Sequence, residues 1–222
     1  MSDDSQRTPH INRRQALAAT AAATSSLILG HSDARAGDPE ITLKLATVAP
    51  PGAPWAKHIS RLKKRVKEGT DGRVRIKAYL GGALGTERKT LERVKKGGLA
   101  LHYGSVSAYS ELIPELGALQ LPYLFPDAES ADDIIDEHLR PLVEKELHEV
   151  GLELLFFSEL GHRSIGTSFG FIKSTADLQG KKMRAAPGSV HLETWQALGA
   201  SPKTIADRGE TMTALQTGSV AG

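Results

Sequence analysis

Two periodicities alternate along the first hundred residues that follow the amino-terminal region. Ile41–Val48 is mostly apolar and predicts a buried strand, and a Pro- and Gly-rich loop at 50–54 separates it from a helix. Within that helix the apolar residues recur at intervals of four, three and four, which places them on one face. They are Trp55, Ile59, Leu62 and Val66.

The same order then repeats. Val74–Leu80 alternates apolar and polar residues, as a half-buried strand does. A glycine-rich turn at Gly81–Gly85 is followed by a short predicted helix over Glu87–Lys96 and a strand over Leu99–Tyr103. Strands that alternate with helices in this way predict an α/β fold with a mostly parallel sheet.

The middle of the chain predicts a long helix between two apolar segments. Pro122–Pro126 is expected to be a buried loop, and Leu152–Phe157 a strand. The helix is predicted over Ala128–Glu149, with an apolar face that carries Ile135, Leu139, Leu142 and Val143.

The pattern changes after Ser158, where a domain boundary is predicted near 159–161. The expected elements are two strands, Ser164–Ile172 and Lys181–Ala186, and two helices, Val190–Leu198 and Gly209–Thr217. We therefore predict a first α/β domain over residues 37–160 and a second over 161–222.

The amino terminus has the features of an export signal. Arg13 and Arg14 form a twin arginine just before Ala18–Gly30, an uncharged stretch that is too short to span a bilayer. Ala34-Arg35-Ala36 supplies a small-x-small cleavage site. Residues 1–36 are thus predicted to be a twin-arginine signal peptide, cleaved after Ala36, that sends the protein to the periplasm.

Composition narrows the function. From residue 37 onward, 24 lysines and arginines balance 23 aspartates and glutamates, which argues against binding to nucleic acid. The chain has no cysteine, so disulfides, thiolate metal sites and a cysteine nucleophile are excluded. Beyond the leader no apolar segment approaches eighteen residues, so we expect a mature chain that is not embedded in the membrane.

Arg163 and Arg184 are the strongest candidates for ligand binding. Each follows a short apolar run and precedes a loop, where a guanidinium at the edge of a cleft could grip a carboxylate with two hydrogen bonds. Ordinary surface ion pairs are the alternative that spacing alone leaves open.

Other local patterns suggest different chemistry. Gly166–Gly170 matches G-x-S-x-G, with Asp177 and His191 in the order of an α/β-hydrolase, so an exported serine hydrolase that uses Ser168 is an alternative. A strand-to-helix turn at the serine is not evident, however. Glu144 and His148 lie four apart on a helix, but no third metal ligand accompanies them, and neither a metal nor a cofactor is predicted.

Six short motifs, taken together, resemble those of one family, the solute-binding subunit of TRAP transporters, DctP type. The resemblance covers Ile41 to Gly222. The motifs are Leu84–Arg88, Val94–Leu99, Leu121–Phe125, Asp177–Arg184, Leu198–Pro202 and Ala214–Gly218.

The resemblance implies a periplasmic receptor of two α/β domains joined by a hinge, similar to type II binding proteins. Such a receptor closes over a small organic acid and delivers it to TRAP membrane permease subunits. Arg184 matches the arginine that clamps the ligand carboxylate, and Arg163 a second cationic contact. Tyr103 and Ser105 fall on a loop that lines the cleft of the first domain. Members of the family continue past the last motif, so the second domain is expected to be incomplete here. A binding protein for an ABC-type importer remains the alternative.

Overall fold

The computed structural model describes residues 38–222, and a three-stranded parallel sheet opens that part of the chain. Strand β1 (Ile41–Ala46) lies in the middle, between β2 (Val74–Tyr79) and β3 (Leu101–His102). The pairing of β1 and β2 runs from Ile41 beside Val74 to Ala46 beside Tyr79. The parallel α/β arrangement predicted for this region is confirmed.

Helix α1 (Pro54–Gly69) connects β1 to β2 and covers the sheet with its apolar face. Trp55 and Ile59 are buried, and the next two members of the predicted stripe are partly buried. Ile59 packs with Leu45 of β1 and Ile76 of β2. Proline is favourable at the first helical position, because the N–H group that it lacks would have no hydrogen-bond partner within the helix there.

Short helices lie before and after β3 along the chain. Helix α2 (Glu87–Lys95) precedes β3, α3 (Val106–Tyr109) follows it, and a 3-10 helix spans Pro114–Gln120. One continuous helical segment then comprises α4 (Ala128–Ile134), a π turn (Ile135–Leu139) and α5 (Arg140–Glu149). These elements share a core of Leu91, Ile113, Leu116, Val143, Leu147 and Leu152.

A second, two-stranded parallel sheet lies in the last quarter of the chain. A 3-10 helix (Thr175–Leu178) leads into β4 (Lys182–Ala185), which pairs with β5 (Ser201–Thr204). Helix α6 (Ser189–Ala197) joins the two strands, and α7 (Arg208–Gln216) follows. Three predicted elements are thus confirmed to within two residues: β4, α6 and α7. Strand β5, which alternation did not reveal, is a finding of the structure.

Two predicted strands are wrong. Leu152–Phe157 and Ser164–Ile172 are both irregular, and within residues 38–222 no strand forms between β3 and β4. A strand needs a neighbour to pair its backbone N–H and C=O groups. Ser168 N donates to Ala221 O at 2.9 Å, but this is an isolated contact and not a ladder.

Two predictions of burial are also wrong. The Pro122–Pro126 loop is exposed, with the ring of Tyr123 fully in solvent. On the long helix, Leu142 is 61% exposed, whereas Val143 and Leu147 are buried. The π turn changes the angular spacing of the side chains, so an extrapolated 3.6-residue period no longer identifies the buried face.

Candidate functional site

Arg184 lies on β4 between two buried neighbours, Met183 and Ala185, so its side chain points to the opposite face of the strand. Its Nε and Nη2 atoms donate to the carbonyl oxygen of Ile205 at 3.1 and 2.8 Å. This pair of hydrogen bonds orients the guanidinium. The carbonyl oxygen of Arg184 accepts a 3.1 Å hydrogen bond from Nε1 of Trp195, on helix α6.

Arg163 lies on the irregular segment that precedes β4, and its side chain is exposed. The two arginines act on one histidine. Burial lowers the pKa of His191 to about 4, and the positive charges of Arg163 and then Arg184 act in the same direction. The positive charges of the two predicted arginines therefore both favour the neutral form of a single imidazole.

His191 belongs to a buried polar cluster that joins three elements. From helix α6, its Nε2 atom lies 2.7 Å from Oε1 of Gln120 and 3.2 Å from Oγ of Ser107. Ser107 on α3 also donates its hydroxyl proton to Oε1 of Gln120, at 2.5 Å. Such a cluster is stable in a buried place because its polar groups satisfy one another.

The other two predicted contacts, Tyr103 and Ser105, follow β3. Tyr103 stacks edge-on against Trp55, with ring centres 6.4 Å apart, and its hydroxyl group hydrogen-bonds to Ser158. Ser105 donates its backbone N–H and its hydroxyl to the carboxylate of Glu87, at 2.8 and 2.7 Å. These contacts fix the loop in place, and they join it to the first predicted domain and not to the arginine pair.

A second titratable cluster lies beneath this loop. His102 is buried, and its Nδ1 atom is 3.0 Å from the hydroxyl oxygen of Tyr109. Its Nε2 atom is buried without a hydrogen-bond partner among the described residues. Burial lowers the pKa of His102 to about 4, and burial together with Glu87 raises the pKa of Tyr109.

A recess of about 160 Å³, open to solvent, lies between the first sheet and the start of α7. Its walls come from the loop after β1, the glycine-rich turn after β2, and the capping residues of two helices. Thr86 caps α2, and Asp207 caps α7 by accepting a hydrogen bond from Gly209 N at 2.7 Å. Val48, Pro50, Gly81, Gly82, Gly85 and Gly209 complete the lining.

The hydrolase alternative does not assemble in this structure. Ser168 donates to the carbonyl oxygen of Ala221, and Asp177 accepts hydrogen bonds from the backbone N–H groups of Lys173 and Ser174. His191 is bound to Gln120 and Ser107 instead. Without a base beside the hydroxyl group, the serine lacks the activation that this chemistry requires.

The two residues considered for a metal also have other partners. Glu144 binds Arg140 at 3.0 Å, and His148 lies 2.6 Å from Glu153. Over residues 38–222, no group of three or more histidines, aspartates and glutamates is placed to hold a metal ion. The same residues include no helix that is long and apolar enough to cross a membrane.

Residues 45–222 match the family described as bacterial extracellular solute-binding protein, family 7, or DctP. The chain belongs to the DctP family. It is 30% identical, over 74% of its length, to a solute-binding protein of Verminephrobacter eiseniae. The alternatives of a serine hydrolase and of an ABC-type binding protein are therefore not favoured.

Solved structures of DctP-type proteins share the fold. The sugar acid binding protein of Advenella mimigardefordensis, in complex with galactonate, aligns over 83% of this chain with a TM-score of 0.79 and 28% identity. A TRAP periplasmic solute binding protein of Bradyrhizobium, with bound galacturonate, gives a TM-score of 0.76 and 31% identity over 81%. The chain spans 49% of the length of the Verminephrobacter relative and about 60% of these two structures.

The sequence alone did not indicate the polar cluster around His191. The sequence indicates His191 only as a possible partner of Ser168, and Gln120 and Ser107 belong to no motif. They come together because α3, the 3-10 helix and α6 pack against one another, which no local spacing reveals. Asp207 could have been identified from the sequence as a capping residue, since aspartate before a helix is a common start signal.

Proposed function

We propose that this protein is an extracytoplasmic receptor that captures a small organic acid by its carboxylate and delivers it to TRAP membrane permease subunits. The observation that carries the proposal is the guanidinium of Arg184, which Ile205 orients through two hydrogen bonds, together with the positive charge of Arg163, which acts on the same histidine, His191. Two positive charges that act on one neutral group favour a bound anion in its vicinity.

In this proposal Arg184 is the principal contact. Its Nε–Nη2 edge is held by the carbonyl oxygen of Ile205, so its orientation is set before a ligand arrives. A preoriented guanidinium loses little conformational entropy on binding, and its planar fork suits a carboxylate. Arg163, which is more exposed, would add positive charge from the irregular segment that precedes β4.

Tyr103 and Ser105 are proposed as contacts on the side of the first predicted domain. Both side chains are already hydrogen-bonded, to Ser158 and Glu87, which holds the loop after β3 in one conformation. A fixed loop can present its aromatic edge to a ligand without a cost in ordering. The recess that Asp207 and Thr86 help to line would accommodate the remainder of the ligand.

Sugar acids are the ligand class we propose. The proteins of Advenella mimigardefordensis and Bradyrhizobium were solved with galactonate and galacturonate, which each combine a carboxylate with several hydroxyl groups. The arginine pair suits the first group, and the carboxylate of Asp207 with the hydroxyl group of Thr86 suits the second.

Export to the periplasm by the twin-arginine route is also part of the proposal. Arg13, Arg14 and the cleavage site after Ala36 lie outside the described residues, so the support is the sequence pattern and the family. Sequencing the amino terminus of the protein recovered from periplasm tests it, with Gly37 as the expected first residue.

Calorimetric titration of the full-length protein with galactonate and galacturonate tests the receptor function. Arg184→Ala should weaken binding of the better acid by about 2–5 kcal/mol, because a buried carboxylate loses its partner. Arg184→Lys should recover only part of that loss, since an ammonium group cannot reproduce the fork.

Arg73→Ala is the matched control, because Arg73 is exposed and pairs only loosely with Glu40, at 3.8 Å. It should leave the affinity unchanged. Equal affinity of the Arg184→Ala variant and the wild type would refute the clamp. Absence of binding to every organic acid in a thermal-shift screen would refute the receptor function itself.

A further inference from the structure

Helix α6 has two polar anchors on one face. His191 and Trp195 are four residues apart and therefore lie one above the other on the helix surface. His191 reaches Gln120 and Ser107, while Nε1 of Trp195 donates to the backbone carbonyl oxygen of Arg184. The helix thus connects the polar cluster to the strand that carries the principal arginine.

The start of α6 lies close to its neighbours at two glycines. At Gly188, directly before the helix, a Cβ atom would lie 3.2 Å from Oγ of Ser110. At Gly117 of the 3-10 helix, a Cβ atom would lie 3.4 Å from Cγ2 of Val190. Glycine at these two positions thus allows α6 and the elements that bear Ser107 and Gln120 to approach closely.

The hydrogen bonds also indicate which nitrogen of the His191 imidazole carries the proton. Oε1 of Gln120 is an acceptor, so Nε2 of His191 carries the proton and donates it. The same oxygen accepts from the hydroxyl group of Ser107. Removal of the imidazole would leave Gln120 and Ser107 bonded to each other and would detach α6 from both of them.

From this geometry we propose that His191 is a positioning residue for the arginine clamp. It anchors α6 to Ser107 and Gln120 and, through the indole of Trp195, holds the backbone of Arg184 in the place where its guanidinium meets the ligand. The proposal rests on the proposed receptor function for its effect on affinity, but the mechanical link can be measured without a ligand.

A double-mutant cycle on the full-length protein, titrated with galactonate and galacturonate, tests the effect on affinity. His191→Leu should weaken binding roughly tenfold, because α6 loses both of its hydrogen bonds to the polar cluster. Trp195→Phe should weaken it also, and the double variant should be no weaker than the worse single variant, because both act through one link.

Two further variants separate positioning from general loss of structure. His191→Gln retains an N–H donor and should bind within about threefold of the wild type. His148→Leu removes an exposed histidine of α5 and should not change the affinity. Equal affinity of His191→Leu and the wild type, or additive effects of His191→Leu and Trp195→Phe, would overturn the proposal.

The ligand-free measurement is the indole N–H resonance of Trp195, identified by its disappearance in Trp195→Phe. In His191→Leu this resonance should move and its hydrogen should exchange faster with solvent, while His191→Gln should leave both unchanged. If the wild type binds neither acid, the receptor proposal fails for those ligands, and this spectrum still decides the positioning role. An unchanged resonance in His191→Leu would overturn it.

Discussion

The first parallel sheet and the segment of residues 152–172 have similar apolar character but different structures. In the sheet, β1 has a hydrogen-bonded neighbour on each side, and residues such as Leu45 and Ile76 are nearly inaccessible to solvent. In the later segment the chain is irregular, and four large apolar residues are 50–95% exposed. They are Leu155, Leu160, Ile165 and Phe171.

The difference shows that an apolar pattern specifies a strand only where a partner strand is present. Backbone groups in a strand need hydrogen bonds from a neighbour, and burial of one face needs a helix or a second layer above it. β1 has both, through β2, β3 and α1. Residues 152–172 have no partner strand among the described elements, although Leu152 packs into the helical core and Phe169 and Ile172 pack against buried residues near β4.

The largest expected effect comes from a matched pair of isoleucines, one in each region. Ile59→Ala should lower the free energy of unfolding by about 2–5 kcal/mol, because the side chain is 2% exposed and its loss leaves a cavity between α1 and the sheet. Ile165→Ala, at 50% exposure, should change it by less than about 0.5 kcal/mol.

Chemical denaturation of the two variants measures both values. Comparable losses from the two substitutions would break the comparison, since they would mean that Ile165 is packed in solution as tightly as Ile59. A loss below about 1 kcal/mol at Ile59 would show instead that the first sheet tolerates a cavity at its centre.

Residue patterns predicted the first region well because its contacts are nearly local. Helix α1 and strands β1 and β2 follow one another, so the periods of Ile41–Val48 and Val74–Leu80 contain most of the information. The polar cluster depends on residues 84 and 71 positions apart, Ser107 and Gln120 with His191. No period in the sequence relates such positions, so the arginines could be predicted while the groups around them could not.

Two glycines extend the comparison to backbone packing. At Gly104, beside β3, a Cβ atom would lie 2.2 Å from Cε1 of His102, whose ring is buried and bound to Tyr109. Gly104→Ala should therefore cost about 1–3 kcal/mol through overpacking. Gly166, in the irregular segment, has open space within 4 Å of the position that a methyl group would take, so Gly166→Ala should be close to neutral. Thermal unfolding of both variants measures the contrast, and an unaffected Gly104→Ala protein would show that the loop after β3 can move aside.

The smallest expected effect is on the dependence of stability on pH. Burial lowers the pKa of His102 from 6.5 to about 4, so the unfolded state takes up a proton before the folded state does. The contribution of His102 to the free energy of unfolding should thus be complete above pH 6.5 and should fall as the pH drops toward 4. At pH 5 the loss should be about 1–2 kcal/mol. His102→Gln should flatten that decline, whereas His58→Gln, on the exposed face of α1, should not.

His191 should contribute a similar decline of different origin, which sharpens the contrast between the regions. Its pKa is lowered to about 4 by burial and then by Arg163 and Arg184, whereas burial alone acts on His102. Salt screens the charge of an exposed side chain such as Arg163 but does not change burial. Raising the ionic strength should therefore increase the free energy of unfolding of the His102→Gln variant at acid pH, because this variant retains His191. It should leave the free energy of unfolding of the His191→Gln variant nearly unchanged. Denaturation curves at pH 5 in low and high salt compare the two, and equal shifts would show that the arginines do not act on His191.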